Sequence, residues 1–99
     1  MDMQRLMQQA QQMQRKLAKI EEELDATIYE GKNNGVEVKV NGKNEVTEVS
    51  IDEDLLDKEN KDMLQDMVML AVNDAQAKAK ADREAKMGSV TQGVRMPGM

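Results

Sequence analysis

Apolar residues recur at Met3, Leu6, Met7, Ala10, Met13, Leu17, Ile20 and Leu24, in steps of three and four. That spacing sets them on one stripe of a helix, with Gln, Lys, Arg and Glu at the other positions and no Gly or Pro to interrupt. It predicts a first helix from Met3 to Leu24. Around Ala26 the period changes. Thr27-Ile28-Tyr29 is a β-favouring triplet, and Gly31 to Gly35 (Gly-Lys-Asn-Asn-Gly) reads as a turn. Val36, Val38 and Val40 alternate with Glu37 and Lys39, as in a half-buried strand. Asn41-Gly42 is a hairpin signal, because both residues tolerate positive φ. Thr47, Val49 and Ile51 alternate again, so the pattern predicts three short antiparallel strands, each with one apolar face.

A second helix follows, with Asp57 or Asn60 as candidate N-caps. Its main stripe is Leu64, Met67, Val68, Ala71, Val72 and Ala75, while Met63, Leu70, Ala77 and Ala81 lie roughly opposite. A helix apolar on two sides needs two partners, one the sheet and the other a neighbouring helix or a second subunit. Gly88 is a natural stop after Met87, leaving residues 88–99 as a flexible tail. The fold class is α+β: one domain over residues 1–87, in the order helix, three-stranded antiparallel sheet, helix. At about 1.5 Å per residue the helices are about 36 and 45 Å long, against a platform about 15 Å wide and 20 Å long. Both must project beyond the sheet as arms.

Composition narrows the chemistry. The 99 residues contain ten Met but no Phe, Trp, Cys or His, and Tyr29 is the only aromatic. So small a core points to burial completed between chains, in a homodimer. Without Cys or His there is no disulfide, no zinc or haem site, no cysteine nucleophile and no Ser-His triad. Tyr29 and the few Ser and Thr residues have no base to activate them, and the expectation is a protein that is not an enzyme and takes no cofactor or small-molecule substrate. Asp52-Glu53-Asp54 lacks the spacing of a calcium loop, and Gly31 and Gly35 do not form a phosphate-binding motif, so no metal is expected. The longest apolar run, Met67 to Val72, is far below the roughly 20 residues that cross a bilayer. The amino terminus is too polar for a signal peptide. These features suit a cytoplasmic protein with no membrane partner.

Charge adds a candidate function. The net charge is −5, yet it is unevenly spread. Residues 1–20 and 76–99 each sum to +3, and the acidic residues concentrate between them. On a helical wheel Arg5, Arg15, Lys16 and Lys19 share an arc of about 100° with Gln8 and Gln12, away from the apolar stripe. Such a strip can follow a phosphate backbone, the cations neutralising charge and the amides adding hydrogen bonds. Lys78, Lys80, Arg83 and Lys86 supply a second, more dispersed set on the other arm. Opposed to this is the ordinary reading of basic residues opposite an apolar stripe, a solvated helix face in which Lys19 pairs with Glu23 at i, i+4.

Val36-Glu-Val-Lys-Val-Asn-Gly42, Val49-Ser-Ile-Asp52, Leu55-Leu56, Met63-Leu64-Gln-Asp-Met-Val68 and Ala71-Val-Asn-Asp-Ala75 occur in an order that resembles the YbaB/EbfC family of bacterial nucleoid-associated proteins. The Met/Gln-rich first helix and the Lys86–Gly93 segment extend the resemblance over nearly the whole chain. It implies a nucleoid-associated cytoplasmic homodimer with projecting helical arms, binding double-stranded DNA with little sequence preference and modulating nucleoid organisation and gene expression. The shared motifs lie mostly in the platform, so the ten DNA-contact candidates rest on charge alone. A prefoldin-like chaperone or protein-interaction module, gripping clients with helix tips such as Met3, Leu6 and Met7, is the competing expectation.

Overall fold

The structure, a computed structural model, describes residues 2–91. Helix α1 (Met3–Ala26) leads into strands β1 (Ile28–Asn33), β2 (Val36–Asn41) and β3 (Val46–Ile51). Two 3-10 turns, Glu53–Leu55 and Lys58–Asn60, precede helix α2 (Lys61–Thr91). The strands form one antiparallel sheet in the order β1-β2-β3. The α+β architecture read from the periodicity is the observed one.

Helix α1 begins where the Asp2 carboxylate accepts the Gln4 N–H at 3.1 Å, satisfying one of the free N–H groups of the first turn. The tight turn is Asn34-Gly35, whose φ angles of 45° and 99° suit a two-residue hairpin. Gly31 is therefore not part of the turn, as its neighbourhood suggested, but lies inside β1. A Cβ there would run into the Ala71 carbonyl oxygen and sit 2.6 Å from the Ala75 nitrogen, so glycine lets α2 lie directly on the strand. Asn41-Gly42 is not a two-residue hairpin either. The Asn41 side-chain oxygen accepts the N–H groups of Lys43 and Glu45, at 2.9 and 3.1 Å, and Asn44 takes the positive φ of 68°. Gly42 admits the end of α1, since a Cβ would collide with the Leu24 carbonyl.

A bulge at Lys39/Val40 shifts the register of β3. It pairs Val40 with Val46, Val38 with Val49 and Val36 with Ile51, so Val46 rather than Thr47 joins the apolar face. Thr47 is the extra residue, donating its hydroxyl to the Lys39 carbonyl. On the opposite face Lys32 bridges Glu30 and Glu37, and Lys39 bridges Glu30 and Glu48. The bond to Glu48 raises the Lys39 pKa, but exposed ladders of this kind add little stability.

The core is thin. Val36, Val38 and Val40 pack beneath Met67, Ala71, Ala75 and Ala79 of α2. Small residues every four positions bring α2 close to the strands, which Gly31 makes possible. Helix α2 covers β1 and β2 and, of β3, only Ile51 packs against the core, while Val46 and Val49 on the same side of the sheet stay 46% and 47% exposed. The expectation that every strand buries its apolar face fails for β3 in the single chain.

Two end points also differ from expectation. Asp57 caps the second 3-10 turn rather than α2, accepting the Glu59 N–H at 3.1 Å, while the Asn60 amide donates back to the Leu55 carbonyl. Helix α2 does not stop at Gly88 but runs through it to Thr91. Of the tail, residues 92–99 lie outside the described residues.

Candidate nucleic-acid interface

Three contacts fix how the helices sit. Tyr29 of β1 meets Asp82 of α2, the next carbonyl, of Glu30, meets Lys78, and Gly31 faces Ala71 and Ala75. Strand β1 and helix α2 therefore run in opposite directions. The end of α1 enters at the Arg83 level, where the Arg83 guanidinium donates at 2.9 Å to both the Asp25 carboxylate and the Gly42 carbonyl, with Glu21 3.8 Å away. The molecule is 70 Å long, well beyond the roughly 46 Å of α2 alone. Helix α1 must run away from the platform rather than back across it. The overhang expected from element lengths is present.

The cations fall into two groups. Arg5, Arg15, Lys16 and Lys19 are exposed on α1 together with Gln8 and Gln12, and none of the four cations forms an ion pair among the described residues. The Lys19–Glu23 pairing allowed by their spacing is not formed. From Arg5 to Lys19 the strip is about 21 Å long, at 1.5 Å per residue. The α2 cations are mostly engaged. Lys78 donates to the Glu30 carbonyl at 2.9 Å and pairs with Asp74, Lys86 pairs with Asp82 at 3.2 Å, and Arg83 holds α1 to the β2–β3 connection. Lys80 is exposed and unpaired among the described residues. Sequence alone gave all ten residues one role; tertiary contacts separate them into a free set and a joining set.

Beside Arg83 the Tyr29 hydroxyl donates to the Asp82 carboxylate at 2.6 Å. Burial raises the Tyr29 pKa, and the bond to Asp82 adds to the effect. Asp82 is lowered, first by the Tyr29 bond and then by Lys86. The signs oppose. Asp82 contributes stability that is present above the ordinary aspartate pKa and is lost as pH falls through its lower folded value. Tyr29 contributes stability that is present below its ordinary pKa and is lost as pH rises through its higher folded value. Tyr29→Phe is thus expected to lower the melting temperature at pH 7 and to lessen its fall in both acid and alkali, as thermal melts from pH 3 to 11 would measure. Equal pH profiles for the two proteins would exclude this pair as their source.

Among the described residues no group of His, Cys, Asp or Glu is placed to hold a metal ion, and no helix is long and apolar enough to cross a membrane. The fold itself has a counterpart in the crystal structure of an uncharacterized protein from Helicobacter pylori. The two agree with a TM-score of 0.76 at 28% identity, over 90% of this chain and 96% of that one. The sequence is 44% identical to a nucleoid-associated protein of Chloroflexus aggregans, over 96% of this chain and 97% of that protein. It is 43% identical to one of Dictyoglomus thermophilum (92% and 89%) and 42% identical to one of Desulfotalea psychrophila (100% and 95%). The family model for YbaB/EbfC DNA-binding proteins matches residues 1–94, the platform and the length of both arms, and this chain belongs to that family.

Proposed function

We propose that the protein is a homodimer that grips double-stranded DNA through the basic face of α1, with little preference for sequence, and so modulates nucleoid organisation and gene expression. The observation that carries this reading is the exposed, unpaired strip of Arg5, Arg15, Lys16 and Lys19 on an arm standing clear of the acidic platform. Gln8 and Gln12 add hydrogen bonds within the same strip, and Lys80 contributes from α2. Arg83 acts chiefly by fixing α1 to the platform and Lys78 by holding α2 to β1, while Lys86 pairs with Asp82 within α2. A net charge of −5 does not oppose such contact, because ionic screening over about 8–10 Å leaves the local field in control.

The contacts go to phosphates. Six neutralised phosphates would give log K a slope of about −5 against log salt, at about 0.9 per phosphate. A mobility-shift titration from low to physiological salt on duplexes of unrelated sequence measures it. A slope near zero, or no shift at low salt, would overturn the proposal. Suppression of client aggregation without DNA affinity would favour a prefoldin-like role for the exposed Met3, Leu6 and Met7.

The dimer is supported by the bare part of the sheet. Val46 and Val49 lie uncovered beside α2, and Leu56 and Met69 are exposed as well. An uncovered apolar strip of this kind, about one helix wide, fits a second copy of α2 lying beside the first. Val49→Asp is expected to halve the mass measured by light scattering while leaving α2 seated on β1 and β2. An unchanged dimer mass would place the interface elsewhere.

A further inference from the structure

Two Asn-Gly pairs, Asn34-Gly35 and Asn41-Gly42, stand at either end of β2 and are held very differently. An Asn amide followed by Gly is open to attack by the Gly nitrogen, since no side chain on the second residue shields it. The attack closes a succinimide ring, so the Asn side chain must be free to swing and the local backbone free to open. At Asn41 neither freedom exists. Its Oδ1 accepts the Lys43 and Glu45 N–H groups at 2.9 and 3.1 Å, and its Nδ2 donates to the Glu45 carboxylate at 3.1 Å. Its N–H donates to the Glu45 carbonyl and its carbonyl accepts the Asn44 N–H, each at 3.0 Å. Gly42 is buried against the end of α1, and Arg83 holds its carbonyl. Asn34 and Gly35, by contrast, are exposed at the tip of the β1–β2 hairpin. The Asn34 amide donates one long bond, to the Asn33 side-chain oxygen at 3.3 Å, and nothing among the described residues accepts the Gly35 N–H. Such a tip opens at far lower cost than the packed junction at Gly42.

We propose that Asn34 is a site of spontaneous deamidation in the folded protein, with Asn41 protected, and that its isoaspartyl product loosens the join between the hairpin and Asp52. The Gly35 nitrogen bonds to the Asn34 Cγ and gives its proton to solvent base. The Cγ–Nδ2 bond breaks, and Nδ2 takes up a proton and leaves as ammonia. Water then opens the succinimide. Addition at Cγ restores the main chain with an aspartate side chain, whereas addition at the backbone carbonyl leaves Gly35 attached through Cγ, as isoaspartate. No electrons are transferred, and water is the sole co-reactant. Isoaspartate inserts Cβ into the main chain of a two-residue turn whose length sets the strand register. Gly35, at φ 99°, presents its carbonyl to the Asp52 N–H at 2.9 Å, and a Cβ there would lie 3.1 Å from Leu55 Cδ1. Leu55 in turn packs on the core. The longer turn displaces that carbonyl and takes a restraint off the segment leading into α2. This inference does not depend on DNA binding.

The full chain is incubated in mildly alkaline heavy-oxygen water, digested and mapped by mass spectrometry, because amides hydrolysed during the incubation take up the label. Asn34 should be labelled at least about tenfold faster than Asn41, whose opening breaks several hydrogen bonds. In denaturant the two sites should react at similar rates, both being Asn-Gly. Equal labelling in the folded protein, faster labelling at Asn41, or none at Asn34 would overturn the proposal. Asn34→Asp separates the added charge from the altered main chain. The isoaspartyl fraction, resolved by chromatography, should exchange its Asp52 amide severalfold faster than Asn34→Asp, which should match the parent protein. An Asp52 amide equally protected in all three would overturn the loosening of the join.

Discussion

Reversing Lys16 and Lys19 to Glu is expected to weaken DNA binding about 60-fold at 0.1 M salt for each arm that engages the duplex, because each lost phosphate contact removes a factor of about 8 at that salt. The salt slope should become shallower by about 1.8 for the same two contacts. Both side chains are exposed and make no ion pair among the described residues, so far-UV circular dichroism and the melting temperature should stay near those of the parent protein. The matching control is Lys78→Gln. Lys78 is already held by Asp74 and by the Glu30 carbonyl, so its loss should disturb stability more than DNA affinity. Affinity and slope left unchanged by the double reversal would move the DNA contact off α1. A larger loss from Lys78→Gln than from the reversal would place it on α2.

Gly31→Ala is expected to remove most of the stability of the fold. The added Cβ would meet the backbone of α2 at Ala71 and Ala75, and a helix backbone cannot turn aside as a flexible side chain can. Helix α2 would have to rise from β1 by more than 1 Å, opening the packing of Ala71 and Ala75 on Val38 and Val40 along the core. Overpacking usually costs 1–3 kcal/mol, and a backbone clash falls at about 3 kcal/mol or above. For a domain of this size that lowers the melting temperature by at least about 12 °C, and a stability of only a few kcal/mol would be lost altogether. Gly88→Ala is the opposite case. Nothing lies within 4 Å of a Cβ at Gly88, and the residue is inside α2, so the change should stabilise by up to about 1 kcal/mol. Denaturant titrations of the two variants give the comparison. Similar behaviour of Gly31→Ala and the parent would mean that α2 does not approach β1 as closely as the structure has it.

The two glycines illustrate how far local pattern carries. Gly31 stands in a Gly-Lys-Asn-Asn-Gly stretch whose composition reads as a turn, and only the approach of α2 makes it a strand residue. Gly88 has the chemistry of a helix stop, yet the good helix formers before it carry α2 three residues further. The β3 register shows the same limit. Strict alternation assigns Thr47 to the buried side, whereas the bulge at Lys39/Val40 puts Val46 there, and a bulge depends on the pairing of two strands.

The candidate site divides in the same manner. The basic arc on α1 was legible because helical periodicity alone fixes which side chains share a face, whatever the helix packs against. The roles of Lys78 and Arg83 were not legible, since their partners Glu30, Asp25 and Gly42 lie dozens of positions away along the chain. By itself the sequence determined the element order, the apolar stripes, the acidic middle and the cationic strip, because each arises from residues within a few positions of one another. Tertiary structure alone decided that Val46 and Val49 of β3 are left bare and that two of the eight candidate cations, Lys78 and Arg83, are joints rather than free charges. Those outcomes depend on which surfaces meet across the fold, and contacts between distant segments leave no period in the chain.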